Sequence, residues 1–391
     1  MTHLLLTLTG AVLAVISLPL VLELLLVTAA QLLPFKARIG PVAALPDFAL
    51  AIIVPAHNEE LLVARSVRSL HASANPNVRI FVVAHNSTDA TAARAQEAGA
   101  EVLVYDDPTA RGKGFALRYG FRHALDAGAD AVMVVDADSI VSANTIAVVE
   151  QAFAAGARVL QCRYEMVSTT EKSSTRLSAL AFRGFNVIRP QGRERLGFSA
   201  GILGNGFAIL RPVLEAIPYD AFSVVEDLEY HLHLVMAGER VRYLDEALIS
   251  ADFPESRAGE AVQRSRWEGG RLLTARTWAL PIVAKVLRGR LRLLEPLCDL
   301  TGLPLAYGVF TLLIALLLPL GWLRWYAVVS LAIVLAHVLA AAWAGPDFLG
   351  TMKLLVLAPY YILRKLAMIP GVLRGSSAKA DWVRTERDNT L

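Results

Sequence analysis

Residues 4–33 form an almost unbroken apolar run in which Glu23 is the one formal charge. A hydrocarbon core of about 30 Å needs about 20 helical residues, so this segment is long enough to span a bilayer. A secretory leader is a poorer reading, because the run is too long and no positive segment precedes it. Lys36 and Arg38 follow at once, whereas Met1–His3 carries neither Lys nor Arg. By the positive-inside rule the amino end is then outside and the following domain cytoplasmic.

Composition agrees with a membrane chain. Of 391 residues, 55% are hydrophobic and 19% charged, which excludes a disordered protein and points away from a wholly soluble one. The net charge of +3 comes with no Lys/Arg block, so no nucleic-acid partner is expected. Two cysteines, Cys162 and Cys298, are too few for a disulfide framework or a Cys-based zinc site.

The apolar excess gathers at the two ends. Residues 297–320 and 325–344 are further expected spans, joined by an interfacial turn at 321–324 that carries Trp322. Residues 352–373 are apolar but hold Arg364 and Lys365 near their middle. Each would cost roughly 2.5–3.5 kcal/mol at the centre of a spanning helix, so an interfacial or re-entrant segment is expected, with a fourth span as the competing reading. Glu23 and His337, inside expected spans, suit hydrogen bonding to neighbouring helices at least as well as a functional role. The expected organisation is an N-terminal transmembrane helix (1–38), a catalytic domain (48–255), an amphipathic interfacial region (256–296), two transmembrane helices (297–345), an interfacial or fourth transmembrane segment (350–375) and a polar tail (376–391).

The middle reads as α/β. Short β-rich runs at 49–55, 78–84, 101–105 and 131–135 alternate with helical stretches at 59–72, 88–98 and 114–127. Such alternation predicts a mostly parallel sheet covered on both faces. Ligands bind outside the carboxyl ends of such strands, and the polar clusters fall there: His57-Asn58-Glu59, His85-Asn86-Ser87, Asp106-Asp107 and Asp136-Ala137-Asp138.

Two carboxylates two residues apart at a strand end can share one hard divalent cation with substrate phosphates. Asp136 and Asp138 have that spacing after an apolar strand, although the triplet alone also occurs in ordinary surface loops. Arg111-Gly-Lys113-Gly114 precedes a helix, where glycine lets the backbone come close and cations favour phosphate; the bland alternative is a solvated turn. Glu226-Asp227 stands at an expected helix start. One carboxylate there could serve as a general base, or both could simply cap the helix. In Gln263-Arg-Ser-Arg266-Trp267, arginine can hold a diphosphate and tryptophan can face a sugar ring; a basic helix under lipid headgroups is the alternative.

Taken in order, these residues resemble the family 2 glycosyltransferases of the membrane-bound, synthase-like branch. The resemblance runs over residues 52–270 through Val54-Pro-Ala-His-Asn-Glu59, His85-Asn-Ser-Thr-Asp89, Arg111-Gly-Lys-Gly114, Asp136-Ala-Asp138, Gly204-Asn-Gly206, Glu226-Asp227 and Gln263-x-x-Arg266-Trp267. It implies a GT-A fold and inverting transfer of a hexosyl or N-acetylhexosaminyl group from a nucleotide-diphosphate sugar, with a UDP donor expected. By the same resemblance Pro55, Asn58 and Glu59 hold the nucleoside, His85 and Asn86 face the base, and Lys113 meets base or diphosphate. Asp136 contacts the nucleotide sugar and Asp138 ligates Mg²⁺ or Mn²⁺. Asp227 is the base with Glu226 beside it, and Gln263, Arg266 and Trp267 bind the diphosphate and frame the acceptor site. Many relatives carry Asp at His85, and several carry a hydroxyl residue at Asn205, which leaves base identity and acceptor contacts open.

The expected setting is the cytoplasmic face of the inner membrane, multi-pass, among membrane lipids, with a lipid-linked or growing envelope glycan as acceptor. A processive polysaccharide synthase is the alternative within enzymes; with three expected spans it would need a homo-oligomer or an export partner. A catalytically silent scaffold that binds nucleotide or glycan is the alternative of another class, and Asp136, Asp138, Asp227 and Arg266 together argue against it.

Overall fold

A computed structural model describes residues 2–34, 47–167, 173–253 and 257–375. The chain begins with α1 (Thr2–Ala29), β1 (Leu50–Ala56), α2 (Val63–Ser73), β2 (Val78–His85), α3 (Thr91–Glu97) and β3 (Glu101–Tyr105). It continues through α4 (Lys113–Asp126), β4 (Ala131–Val134), β5 (Ser139–Val141), α5 (Thr145–Ala154) and β6 (Val159–Val167). Then come α6 (Ser173–Arg183), α7 (Arg189–Leu196), β7 (Phe207–Leu210), α8 (Arg211–Ala216), α9 (Glu226–Ala237) and β8 (Val241–Asp252). The remainder is helical: α10 (Arg257–Leu287), α11 (Leu294–Thr301), α12 (Leu305–Leu317), α13 (Gly321–Trp343), α14 (Phe348–Leu354), α15 (Ala358–Ala367) and α16 (Ile369–Gly375).

Two compact units result. One, Phe35–Thr169 with Ser199–Phe253, holds an eight-stranded sheet in the order β3-β2-β1-β4-β7-β6-β8-β5. Strands β3, β2, β1 and β4 run parallel, as does the β6–β8 pair. The β4–β7, β6–β7 and β5–β8 pairs are antiparallel. The sheet is therefore mixed: the parallel pairing that the sequence pattern predicts holds for β3, β2, β1 and β4 and for β6 with β8, while β7 enters antiparallel between β4 and β6, and the short β5 pairs antiparallel at the edge.

β1 shows why the sheet is covered on both faces. Leu50, Ile52 and Val54 belong to an apolar layer with Val63, Val67 and Leu70 of α2. Ala51 and Ile53 belong to the opposite layer with Leu117 and Phe121 of α4 and Tyr230 of α9. Adjacent residues of a strand face opposite ways, and both ways are dry here. Gly120 lets α4 lie close, since a Cβ there would come within 2.6 Å of Ile53 Cγ2.

The other unit comprises Met1–Pro34, Thr170–Phe198 and Pro254–Leu391. Residues 170–198 thus group with the helices, although they lie within the stretch 48–255 that reads as one catalytic domain. Two helices are long and apolar enough to cross a membrane, His3–Leu32 and Gly321–Trp343. The straight span expected at 297–320 is instead a pair of helical segments, Leu291–Thr301 and Leu305–Leu317, bent by 83°. Gly302 and Pro304 occupy the break; proline has no N–H and disfavours helical geometry in the residue before it. The turn expected at 321–324 is the first turn of α13. Residues 352–373 are broken into α14, a 3-10 turn, α15 and α16. Lys365 of α15 is ion-paired with Glu268 of α10, whose other carboxylate oxygen accepts from Tyr307 Oη at 2.7 Å.

Glu23 has a definite role. Its carboxylate accepts from Arg193 at 2.6 Å and lies 3.1 Å from Arg189. Both arginines belong to α7 and also reach Asp299, while Arg193 meets Glu295 and Arg271 meets Asp299. His337 shares a hydrogen bond with Thr28 Oγ1 at 3.0 Å. The tail 376–391 and the basic residues Lys36 and Arg38 lie outside the described residues.

Candidate active site

The acidic motifs meet at the carboxyl rim of β1 and β4. β4 is fully buried and ends at Val134; the next residues turn outward as Asp136-Ala137-Asp138, with Ala137 buried between two half-buried carboxylates. Lys113 opens α4 and reaches across. Its Nζ is ion-paired with Asp136 Oδ1 and donates to the Gly204 carbonyl at 2.6 Å. Glu226 and Asp227 open α9, where the positive end of the helix favours acids. Gly204 has φ +75° and abuts Asp227, since a Cβ there would stand 3.0 Å from Asp227 Oδ2.

One ammonium is therefore shared by Asp136, Glu226 and Asp227. Burial alone would lower the Lys113 pKa, but the three carboxylates outweigh it and raise it. Burial first, and the Asp227 charge second, push Glu226 up to about 7 against the opposing pull of Lys113. Titratable groups pushed apart in this way collect at reactive sites.

The loops after β1 and β2 are laced together. Asn58 has φ +55° and Asn86 φ +50°, a conformation that asparagine tolerates better than most residues. Asn58 Oδ1 accepts from the Thr88 N–H at 2.8 Å, and the Glu59 N–H donates to Thr91 Oγ1 at 2.7 Å. Pro55 sits at the end of β1. Asn86 Oδ1 accepts from the Asp107 N–H at 2.7 Å, which fixes its amide; Nδ2 donates to the Asp107 carbonyl at 2.9 Å and lies 3.1 Å from His85 Nε2. The His85 ring also bonds the Ala110 carbonyl and is lowered in pKa, chiefly by burial. It stacks on Tyr105 at 4.9 Å and is 5% exposed. The side chains of His85 and Asn86 are thus engaged within the protein and shape this end of the site more than they project from it.

Gln263, Arg266 and Trp267 lie on α10, in the helical unit. Arg266 is half-buried and Trp267 exposed, while the side chain of Gln263 is outside the described residues.

Three residues that motif reading did not assign, Asn205, Ser139 and Gln161, are wholly buried beneath the acidic rim. Gln161 Nε2 donates to the Asn205 carbonyl at 2.7 Å, and Gln161 Oε1 accepts from the Leu203 N–H at 2.9 Å. A signal existed for Gln161: it is a polar residue inside the apolar strand Val159-Leu160-Gln161-Cys162, and a buried amide needs partners.

Among the described residues, no group of three or more His, Cys, Asp or Glu forms a ready-made metal cage. The donor set nevertheless fits one kind of ion. Mg²⁺ and Mn²⁺ take hard oxygens, and Mg²⁺ is commonly held by one or two carboxylates plus substrate phosphates. Asp136 and Asp138 supply such a pair.

A family model described as "Glycosyltransferase like family 2" matches residues 46–270. The chain is 26% identical over 234 residues to the Bacillus subtilis (strain 168) protein named "Probable glycosyltransferase YdaM", covering 56% of this chain and about half (54%) of YdaM. It is 34% identical over 99 residues to "Protein RfbJ" of Shigella flexneri, covering 25% of this chain and 71% of RfbJ. Among solved structures it is similar to the mannosyltransferase PcManGT from Pyrobaculum calidifontis, determined in complex with GDP-Man and Mn²⁺. That match has a TM-score of 0.55 at 17% identity and covers 95% of this chain and 97% of the other, which speaks to the fold.

Proposed function

The chain belongs to glycosyltransferase family 2, and on that premise we propose that it is an inverting, metal-dependent transferase working at the cytoplasmic membrane face. Members of the family draw their sugar from nucleotide-sugar donors; the acceptor proposed here is a lipid-linked or growing envelope glycan. The observation that carries the reading is the convergence of Asp136, Glu226 and Asp227 on Lys113 at one sheet rim, with Asp138 two residues beyond Asp136 on the same turn.

In this reading the nucleoside lies along the β1 and β2 loops, held by Pro55, Asn58 and Glu59, with His85 and Asn86 forming the wall behind the base. Asp138 and Asp136 would hold Mg²⁺ or Mn²⁺, which when bound neutralises charge on the diphosphate. Lys113 keeps Asp136 turned toward the rim. Asp227 takes the proton of the acceptor hydroxyl as that oxygen attacks the anomeric carbon from the face opposite the leaving group, so a single displacement inverts the centre. Glu226 sits beside it and holds its own proton to near neutrality. By the family resemblance, Gln263, Arg266 and Trp267 would receive the leaving diphosphate and frame the acceptor, the arginine countering negative charge as it develops. The two apolar helices, His3–Leu32 and Gly321–Trp343, support a membrane setting and hence a lipid-anchored acceptor.

The test is product chemistry. The purified full chain in detergent, given a panel of UDP- and GDP-sugars with Mn²⁺ and lipid-linked acceptors, should form a glycosidic bond of anomeric configuration opposite to the donor's, read by NMR. Retention of configuration, or full turnover in EDTA, would contradict the proposal.

A further inference from the structure

The sequence reading leaves Asn205 beside an open question about acceptor contacts. Its surroundings point elsewhere. The side chain is 1% exposed and faces the acidic turn from beneath. Asn205 Oδ1 accepts from the Asp136 N–H at 3.1 Å. Its Nδ2 donates to Ser139 Oγ at 2.8 Å, and Ser139 Oγ donates to Asp138 Oδ1 at 3.1 Å.

The directions of these bonds are forced. A backbone N–H can only donate, so the amide oxygen must face Asp136. Nδ2 then faces Ser139, whose hydroxyl must accept from it and has one proton left to give, to the Asp138 carboxylate. The Asn205 amide accepts from one neighbour with its oxygen and donates to the other with its nitrogen. Gln161, itself 0% exposed, fixes the loop from below through the Asn205 carbonyl and the Leu203 N–H.

We propose that Asn205 is a positioning residue for the metal-binding turn: acting through the Asp136 backbone and the Ser139 hydroxyl, it sets the separation and rotamer of the two carboxylates of Asp136-Ala137-Asp138. This rests on the metal role given to Asp138 above. The relay anchors Asp138 Oδ1 through the Ser139 hydroxyl, so the orientation of the carboxylate is set before a cation arrives. Removing partners that orient a ligand typically lowers metal affinity by about 10–100-fold.

The experiment is a titration of Mn²⁺ into the full chain in detergent with UDP or GDP present, followed by Mn²⁺ paramagnetic resonance, for wild type, Ser139→Ala and Asn205→Ala. Ser139→Ala removes one buried hydroxyl and is the variant chosen to remain folded, checked by its melting temperature. The relay predicts that Mn²⁺ binding weakens about tenfold in Ser139→Ala and at least as much in Asn205→Ala. Because the two act in series, the double variant should lose less than the sum of the single losses. Folded variants that bind Mn²⁺ as wild type does would overturn the relay and leave the metal reading standing. A wild-type protein that binds no Mn²⁺ with either nucleotide would overturn the metal reading itself.

Discussion

Two of the buried or half-buried charge clusters among the described residues are built on different plans. In the helical unit, Glu23, Glu295 and Asp299 face Arg189, Arg193 and Arg271, three acids against three bases. In the catalytic unit one lysine serves Asp136, Glu226 and Asp227, and Glu226 is held up to about 7 in consequence of burial and its neighbour. A closed, matched network costs desolvation but asks nothing of a ligand. In the sheet unit, burial and the neighbouring Asp227 charge instead leave Glu226 able to take up a proton near neutrality, a property that a reacting site can use. The first welds α1, α7, α10 and α11 together; the second holds residues proposed above to carry the chemistry.

Several experiments can break or sharpen this contrast. The largest effect should come from Asp227→Asn, which keeps shape but removes the proposed base; release of nucleotide diphosphate should fall by about 10²–10⁴-fold while the melting temperature stays near wild type. Next is Arg193→Met in the matched network. Breaking a buried pair from one side typically costs about 3–5 kcal/mol, so this variant should melt far lower by fluorescence-detected size exclusion, yet retain wild-type turnover per folded molecule.

Smaller, but more diagnostic, is the pH dependence of Lys113→Met. Without the ammonium the Glu226 charge loses its counter-ion, so the variant should be destabilised at pH 8 and approach wild type toward pH 5, where Glu226 is protonated. A loss independent of pH would argue that Lys113 acts by packing alone. The smallest effect concerns Glu226. Its folded pKa, about 7, lies above the ordinary carboxyl value of 4.5, so the folded state binds more protons than the unfolded state between those values. Stability from this group is then fully present below about pH 4.5 and declines as pH rises through 7. Glu226→Gln should flatten that decline in melting temperature.

These contrasts also mark what could be read from sequence. Asp136 and Asp138 were legible because they end an apolar strand, and a buried strand makes its terminal acids conspicuous. Glu226-Asp227 was legible as a helix start, and the apolar run of α1 by length alone. The ionic weld was not. The partners of Arg189 and Arg193 at 23, 295 and 299 lie far away in the chain, and spacing carries no trace of them. The contacts of Asn205 stay open in the sequence for the same reason: its partners, Asp136 and Ser139, lie 69 and 66 residues away. The bend between α11 and α12 was present in the letters as Gly302-Leu303-Pro304, but the hydropathy of residues 297–320 runs through it without interruption, and hydropathy records burial rather than direction.

The account stands on the acidic rim as the reacting centre and the matched network as scaffold. The direct measurement is the initial rate of nucleotide-diphosphate release per folded molecule, with saturating donor and Mn²⁺, compared between Asp138→Asn and Glu23→Gln. The rate should vanish in Asp138→Asn and hold at the wild-type value in Glu23→Gln. An active Asp138→Asn beside a silent, folded Glu23→Gln would exchange the roles of the two clusters and contradict the account.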